Sequence, residues 1–246
     1  MVGFRFVGLW TLTLGFSSIF FSASPAAAQP KPDPARDLLE KYFALSEQAP
    51  PLRDVAMDVT IEASLPKLHR SGAMKALRYI SKLGKISYDK LTFSGDDQIK
   101  KDVIARYLNA EREAQSRNLD IALNAKNYKF KFKGRLQQGD QNIFLYEISP
   151  RAKREGLFKG DLWIDADSGL RVRESGRLVK NPSIFFKKTD FVRHYETREG
   201  ASYLTRMQST VETRIVGKVE MDIRYSNFVR PAPPEVAARD PQHPVF

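Results

Sequence analysis

The chain has 246 residues, 42% of them hydrophobic, no cysteine, and a formal net charge of +11 at pH 7. The absence of cysteine excludes disulfides, thiolate metal sites, thiol nucleophiles and a lipidated N-terminal cysteine. The length allows a domain that buries roughly 70% of its unfolded surface, and the positive charge favours anionic partners such as lipid headgroups.

The N-terminal region has the pattern of a secretory signal peptide. Arg5 precedes a mostly apolar run over residues 6–21, and the small residues Ala26 and Ala28 fit a cleavage site. The apolar run is shorter than the roughly 18 to 20 residues of a membrane-spanning helix and contains Thr and Ser, which favours cleavage over anchoring. The sequence therefore predicts a signal peptide over 1–28, cleaved near Ala28, and an exported, periplasmic protein.

A Pro-rich extended leader over 29–33 precedes the first predicted helix. Asp33 fits the N-cap and Pro34 the first helical position, and Pro50 follows the end of the pattern. Four apolar residues fall on one helical face: Leu38, Leu39, Tyr42 and Phe43. The spacing predicts an amphipathic helix over about 34–47.

Three strands are predicted next. Residues 55–63 alternate apolar and polar side chains, which is typical of a strand with one wet face. Residues 65–84 fit either a strand or a helix, and we predict a strand over 75–82. A weaker strand is predicted over 85–94.

A second amphipathic helix is predicted after Asp96 or Asp97, either of which can cap it. Its apolar stripe consists of Ile99, Val103, Ile104, Tyr107 and Leu108. The half over 110–117 is mostly charged and is expected to project into water. The sequence leaves open whether this helix is a lid over a ligand or a packed surface helix.

After Asn118 the pattern is that of β-structure. Over 128–133 three aromatic residues alternate with Lys129, Lys131 and Lys133, so an aromatic face is backed by a cationic one. Further strands are predicted over 143–149, in a hairpin over 161–179 that turns at 165–169, and over 185–195.

The longest alternation runs from Tyr203 to Tyr225, with one apolar and one charged face. A hairpin turning near Val216 and Gly217 is favoured because glycine takes the positive φ of a tight turn; one long bent strand is the alternative. The single wet face indicates antiparallel pairing. The Pro-rich residues 230–246 lack periodicity, which predicts a disordered tail after one domain over 34–229.

No catalytic, metal or cofactor motif is present in the sequence. The three histidines have no metal or catalytic spacing, and the HExxH, GxSxG, Walker and GxGxxG motifs are absent. Asp165 and Asp167 lack the further ligands of a calcium loop, so a hairpin turn explains them. Glu212, Glu220 and Asp222 fall on the charged face, where surface ion pairs are expected. The sequence therefore predicts a protein that is not an enzyme, with no catalytic residue, metal or cofactor.

Two other classes are disfavoured. A nucleic-acid platform needs aromatics and cations on the same face, whereas the alternation over 128–133 puts them on opposite faces. An outer-membrane barrel needs a charge-free lipid face and a closing strand, and the Pro-rich tail before Phe246 cannot supply that strand.

The order of these elements resembles the lipoprotein-carrier superfamily, which includes LolA/LolB-like and outer-membrane lipoprotein-sorting proteins. The segment GDLWIDADSGLRVRE, residues 160–174, is similar to that family's central hairpin. The resemblance implies an α+β fold: a strongly curved antiparallel sheet, or incomplete β-barrel, with amphipathic helices covering its concave face. It also implies a monomer that carries acyl chains or other hydrophobic ligands across the periplasm.

Two functional hypotheses follow. The first is a periplasmic carrier or sensor that binds the acyl chain of a lipoprotein or lipid between sheet and helices, in outer-membrane lipoprotein or lipid trafficking. Its predicted ligand-binding residues are Met57, Val59, Ile61, Ile99, Val103, Tyr107, Phe130, Phe132, Met207, Val211, Val219, Met221 and Ile223. The alternative is a non-catalytic envelope-binding or scaffold protein, filled by its own side chains, whose basic outer face binds an anionic membrane surface.

Overall fold

The computed structural model describes residues 33–49, 51–116, 120–181, 186–214 and 217–230, without the side chains of 114–116. The predicted signal peptide, nearly all of the leader and nearly all of the predicted tail lie outside these residues. In the part of the chain that is described, no helix is long and apolar enough to cross a membrane.

Ten strands form one antiparallel sheet. They are β1 (Val55–Leu65), β2 (Arg70–Ile80), β3 (Ile86–Gly95), β4 (Tyr128–Gln138), β5 (Gln141–Pro150), β6 (Phe158–Asp165), β7 (Arg171–Leu178), β8 (Phe186–Arg198), β9 (Ala201–Thr213) and β10 (Lys218–Val229). Their order is β3-β2-β1-β10-β9-β8-β7-β6-β5-β4, so β3 and β4 form two open edges. The open antiparallel sheet predicted from the sequence is confirmed.

The first helix, α1 (Pro34–Gln48), begins where the sequence predicts. The Asp33 carboxylate accepts hydrogen bonds from the backbone N–H groups of Ala35 at 3.1 Å and Arg36 at 3.4 Å. These bonds satisfy donors that have no partner within the helix, which fixes its start. A short 3₁₀ turn, Pro66–Leu68, joins β1 to β2.

The second helical region has three consecutive pieces: Asp97–Ile99, a π-helical turn Lys100–Ile104, and Ala105–Ser116. We call the whole segment, residues 97–116, the mid-chain helix. Asp96 is its N-cap, with the carboxylate accepting from the Ile99 N–H at 3.1 Å. The π-turn inserts a residue into the helical ladder and so rotates the second half relative to the first.

The chain runs outward and then returns across the sheet. Strands β1 to β3 lead to one edge, the mid-chain helix and its following loop lead to β4 at the opposite edge, and β4 to β10 come back strand by strand. The circuit ends where β10 pairs with β1, with Ile223 opposite Ile61. The connection that contains the mid-chain helix therefore joins the two edges.

The helices pack on two separate clusters of buried side chains. The mid-chain cluster contains Val55, Met57, Val59, Ile61, Met74, Ile99, Ile104, Leu108 and Ile223, among others. The α1 cluster contains Ala35, Leu38, Tyr42, Tyr128, Tyr146, Ile148, Leu162 and Ile164, among others. The Tyr146 hydroxyl donates to the Ala35 carbonyl at 2.6 Å and ties α1 to β5.

Both clusters lie on the same face of the sheet, which we call the inner face. Directly paired residues on neighbouring strands point to one side. One row of such pairs crosses from the first cluster to the second: Ile61, Ile223, Met207, Arg193, Glu174, Leu162 and Tyr146.

Two expectations about the strands are decided by the structure. The stretch from Tyr203 to Tyr225 is a hairpin, not one long strand: the Thr213 N–H donates to the Gly217 carbonyl at 2.7 Å, and Gly217 has a φ of 81°. The ambiguous segment is a strand, but β2 begins at Arg70 and not at residue 75, because it pairs with β1 along its whole length.

Candidate ligand-binding cavity

The middle of the inner face, between the two clusters, is less filled than its ends. Met207 and Val211 on β9 and Val219 and Met221 on β10 are only half-buried. A cavity of about 560 Å³, the central cavity, lies in this region. Its apolar lining includes Leu52, Met57, Ile80, Leu123, Phe158, Leu204, Met207 and Phe228.

The same cavity has a charged side built around Glu174. This carboxylate is 1% exposed, and it accepts hydrogen bonds from Arg171 at 2.8 Å and Arg193 at 3.3 Å. Arg171 also lies 4.5 Å from the centre of the Tyr195 ring, and Arg193 lies 4.5 Å from that of Phe191. Glu174 therefore holds two guanidinium groups side by side at the cavity wall.

A second ion pair joins the mid-chain helix to β2. Arg78, which is buried, donates to Glu111 at 2.9 Å and lies 5.5 Å from the centre of the Tyr225 ring. The Tyr88 hydroxyl also donates to Glu111. The prediction that residues 110–117 project into water is therefore wrong at Glu111, because this carboxylate is the partner of a buried arginine.

Tyrosine hydroxyls complete the polar lining. Burial raises the pKa of Tyr107 well above its ordinary value, and hydrogen bonding to Tyr225 contributes to that rise. Burial likewise raises the pKa of Tyr195, which is hydrogen-bonded to Glu174. Both side chains are neutral phenols at pH 7, so they add hydrogen-bonding groups to the cavity and no charge.

A second cavity of about 790 Å³ lies further along the same strands. Its lining includes Ala63, Ser209 and Met221, which are paired across β1, β10 and β9. Ser209 follows Met207 at a spacing of two on β9, so both point to the inner face. Most of its other lining residues, among them Glu62, Gln208, Glu220 and Asp222, point to the opposite face of the sheet, so this cavity opens on that face.

The structure distributes the thirteen predicted ligand-binding residues unevenly. Met57, Tyr107 and Met207 line the central cavity, and Met221 lines the second. Val59, Ile61, Ile99 and Ile223 are fully buried in the mid-chain cluster, Val103 and Val219 pack against it, and Val211 is half-buried. Phe130 packs against the α1 cluster, and Phe132 is 40% exposed beside Phe144 and Tyr146.

The charged residues of the cavity are absent from the residues predicted from the sequence, although the sequence carries a signal for them. In β2, Arg78 has the same parity as the buried Met74 and Ile80. In β8, Arg193 stands between the aromatic residues Phe191 and Tyr195 on one face. A charge at an apolar position of an amphipathic strand is the pattern that points to them.

The opposite, outer face carries the ion pairs that the sequence predicts. Asp222 accepts from Arg206 at 3.0 Å, Glu220 lies 2.5 Å from Lys218, and Glu212 lies 3.8 Å from Lys188.

His194 is an ordinary half-buried strand residue and residues 165–169 form a hairpin turn, as the sequence predicts. His194 is half-buried in β8, and burial, together with the charges of Arg173 and Arg206, lowers its pKa. The Asp165 carboxylate accepts from the Ser168 N–H at 2.9 Å inside the β6–β7 turn. No group of three His, Asp or Glu that could hold a metal ion occurs among the residues that the structure covers.

Similarity to known proteins is found among solved structures. No protein-family model matches the chain, and no curated protein matches it by sequence. Among solved structures, a DUF1329 family protein from Desulfovibrio piger is similar at 15% identity and a TM-score of 0.45, covering 82% of this chain and 95% of that one.

Two further solved structures bear on the predicted superfamily. A LolA superfamily protein from Nitrosomonas europaea is similar at 12% identity and a TM-score of 0.38, over 81% of this chain and 94% of that one. An outer membrane lipoprotein-sorting protein domain from Vibrio parahaemolyticus is similar at 9% identity and a TM-score of 0.42, over 79% and 92%. Every one of these TM-scores is below 0.5, so the similarities carry no conclusion about the function of this chain.

Proposed function

We propose that the protein is a periplasmic carrier or sensor that holds an acyl chain or a similar hydrophobic ligand between the sheet and its helices. The observation that carries the proposal is the central cavity of about 560 Å³, which lies between two well-packed clusters. Ligand pockets are concave, mostly apolar and supplied with a few polar groups. The central cavity is concave and has both an apolar part and a polar part.

The half-buried side chains of Met207, Val211, Val219 and Met221 form a strip of the inner face, and this strip supplies a path for an extended chain. From Met207 to Val211 the inner face of β9 runs for about 13 Å at roughly 3.3 Å per residue. Val219 and Met221 lie on β10 beside Val211 and Ser209. Methionine side chains adapt their shape, so the strip can accommodate flexible hydrocarbon.

The proposal also includes the periplasmic location and the cover of the sheet by helices, both of which were predicted from the sequence. Export by the segment over 1–28 would place the protein in the periplasm, where lipids and lipoproteins require shielding from water. The concave shape of the sheet and its cover by helices belong to the same proposal. The mid-chain helix would act as one wall of the binding site, because Tyr107 and Glu111 both line the central cavity.

Filling the cavity tests the proposal. Met207→Trp would put an indole into the central cavity and weaken binding of a fluorescent fatty acid about tenfold or more, since overpacking displaces the ligand. Glu212→Trp puts the same side chain on the outer face of β9 and should bind like the wild type. Thermal unfolding of both variants establishes that each is folded.

Native mass spectrometry gives the complementary measurement. The wild-type protein, purified from a host that contains membranes, should carry a bound lipid or fatty acid that Met207→Trp lacks. A wild-type protein that is free of ligand and also fails to bind the fluorescent fatty acid would contradict the proposed carrier function.

The exposed lysine row on β4 favours a second candidate, an envelope-binding or scaffold role. Lys129, Lys131 and Lys133 are all exposed on an edge strand, and Lys133 lies 3.6 Å from Glu147. Such a row attracts anionic membrane surfaces in a salt-dependent manner. It is compatible with a carrier that docks on membranes, and it requires no cavity.

A further inference from the structure

Three charged residues stand at positions of the inner face that the pattern reserves for apolar side chains. Arg78 lies on β2, Glu174 on β7 and Arg193 on β8. Burial of a charge is strongly unfavourable unless it is paired and hydrogen-bonded. All three line the central cavity, together with Arg171 and Glu111. We therefore ask which ligand would account for charged side chains at these positions.

The charges of the cavity lining do not balance. Three arginines and two glutamates line it, which leaves one excess positive charge. Arg78 and Glu111 form one neutral pair. The excess lies in the other group, where the single carboxylate of Glu174 is shared by Arg171 and Arg193.

The guanidinium groups also retain hydrogen-bonding capacity. Each guanidinium has five N–H donors. The contacts to Glu174 engage one terminal nitrogen of Arg171 and one of Arg193, and Arg171 also interacts with the Tyr42 hydroxyl. About a third of each side chain is accessible, 34% for Arg171 and 35% for Arg193, and both line the cavity. The Arg78 Nε is buried and, within the described residues, has no hydrogen-bond partner.

The lining also has an apolar part, with Met57, Leu204, Met207 and Phe228 in the same cavity. An occupant that suits both parts has a hydrocarbon portion and a negatively charged end. Planar guanidinium groups bind carboxylate and phosphate oxygens through paired hydrogen bonds.

We propose that the central cavity binds the singly charged anionic head group, a carboxylate or a phosphodiester, of an acyl amphiphile. Arg171 and Arg193 contact the head group, Glu174 positions the two guanidiniums, and the chain lies along Met207. This proposal rests on the carrier function proposed above and adds the chemical class of the ligand.

Matched ligands test the head group. Oleate and oleyl alcohol have the same chain and differ in charge. Their affinities are measured by displacement of an uncharged fluorescent probe, N-phenyl-1-naphthylamine, at concentrations below those at which each ligand aggregates. Wild-type protein should bind oleate about tenfold or more tightly than the alcohol, as expected for a charge-assisted hydrogen bond. Lysophosphatidylglycerol against lysophosphatidylcholine makes the same comparison for a phosphodiester, and a preference for either anionic ligand supports the proposal and identifies its head.

Two variants that change the charge of the cavity in opposite directions test whether the preference for oleate arises there. Arg193→Gln should lose most of the preference for oleate and keep its affinity for the alcohol. Glu174→Gln keeps an oxygen that can accept from the guanidiniums and raises the positive charge, so it should increase the preference. Arg177→Gln removes an exposed arginine of β7 that pairs with Asp190 at 2.7 Å on the outer face, and it should behave like the wild type. If Arg193→Gln does not fold, as judged by thermal unfolding, Glu174→Gln still decides the sign.

The outcomes separate this proposal from the carrier function. Equal wild-type affinity for oleate and oleyl alcohol, with no preference between the two lysophospholipids, would overturn the anionic head group and leave the carrier intact. Binding of inorganic phosphate as tightly as of either anionic amphiphile would also overturn it, since the chain would then contribute nothing. Failure of every amphiphile to displace the probe would overturn the carrier function itself.

Discussion

On the outer face, ion pairs of single residues contribute to the stability of the sheet. Asp222 on β10 accepts hydrogen bonds from Arg206 at 3.0 Å and from Arg224 at 3.2 Å. The hydrogen bond from Arg206 is the main reason why the pKa of Asp222 lies below its ordinary value. A carboxylate held in this way stabilises the fold only while it is ionised.

The first prediction concerns Asp222→Asn. We expect the substitution to lower the free energy of unfolding by about 1 kcal/mol at pH 7, since the pair is partly solvated. Because the folded pKa is depressed, this stabilisation is present above the unfolded pKa of about 3.9 and is lost as pH falls through the folded pKa. Urea unfolding at pH 7 and pH 3 measures it, and the difference between wild type and variant should shrink at pH 3.

Glu212→Gln is the matched control for that experiment. Glu212 is half-exposed and 3.8 Å from Lys188, so its removal should change stability very little at either pH. A pH-independent loss in Asp222→Asn would show that the aspartate acts through packing and not through its charge.

The second prediction concerns the close approach of β6 and β7. A Cβ added at Gly160 would lie 1.9 Å from the backbone oxygen of Ser175, a distance at which the strands have to separate. Gly160→Ala should therefore destabilise the protein by about 2 kcal/mol or more, measured by thermal or urea unfolding. Gly200→Ala, where a Cβ meets open space at a φ of +73°, should lose only about 1 kcal/mol through backbone strain. Equal losses would contradict the contact.

At the level of elements, the mid-chain helix is anchored at two different places. Its first half packs Ile99 and Ile104 into the mid-chain cluster. Its second half is held by the Arg78–Glu111 pair at the cavity wall. Leu108, which follows the π-turn, also packs into that cluster, so the second half has both an apolar contact and an ion pair with the sheet.

A double-mutant cycle measures the second anchor and is the third prediction. Glu111→Leu alone should lower the free energy of unfolding by about 3 kcal/mol, because it leaves Arg78 buried without its counter-charge. The double variant Arg78→Met with Glu111→Leu should lose clearly less, and the cycle gives their coupling.

The exposed pair Arg106–Asp102 on the same helix, at 3.2 Å, is the matched control. Its cycle should give about 0.5 kcal/mol or less. Similar coupling in the two cycles would mean that Glu111 does not hold the helix on the sheet.

The elements are largely predictable from the sequence because they obey local rules. The caps at Asp33 and Asp96 and the period-two alternation of β1, β9 and β10 each depend on neighbouring residues alone. The start of β2 was not predictable, since pairing with β1 and not local pattern extends it to Arg70.

The charged side of the cavity needed long-range information. The parity of Arg193 and Glu174 marks each as unusual within its own strand, but only the register of β7 and β8 places them opposite one another. The partner of Arg78 lies 33 residues away on a helix. For the same reason the sequence could not separate Met207, which lines the cavity, from Ile61, which is filled core.

In the molecule as a whole, packed clusters fill the two ends of the inner face, whereas the middle of that face is only half-buried. Each helix closes a cluster near one part of the sheet, and the row between the clusters contains Met207, Arg193 and Glu174. A core that was filled throughout would have apolar residues along this row. The row instead places the half-buried Met207 beside the Arg193–Glu174 pair, and this juxtaposition of an apolar and a charged group is the basis of the amphiphile site proposed above.

The two faces should therefore act independently, which is the fourth prediction. Reversing the charge at Lys129, Lys131 and Lys133 to glutamate should abolish the salt-sensitive binding of the protein to vesicles that contain anionic lipid, because each lysine near such a surface adds to the attraction. The same variant should keep wild-type affinity for a fluorescent fatty acid, since all three lysines point away from the inner face. Met207→Trp should show the reverse pattern, with vesicle binding kept and fatty-acid binding weakened.

Vesicle sedimentation at low and high salt and fluorescence titration of the same preparations measure both activities. Loss of fatty-acid binding in the lysine variant would mean that the faces are coupled, and loss of vesicle binding in Met207→Trp would mean that the cavity, and not the basic row, contacts the membrane.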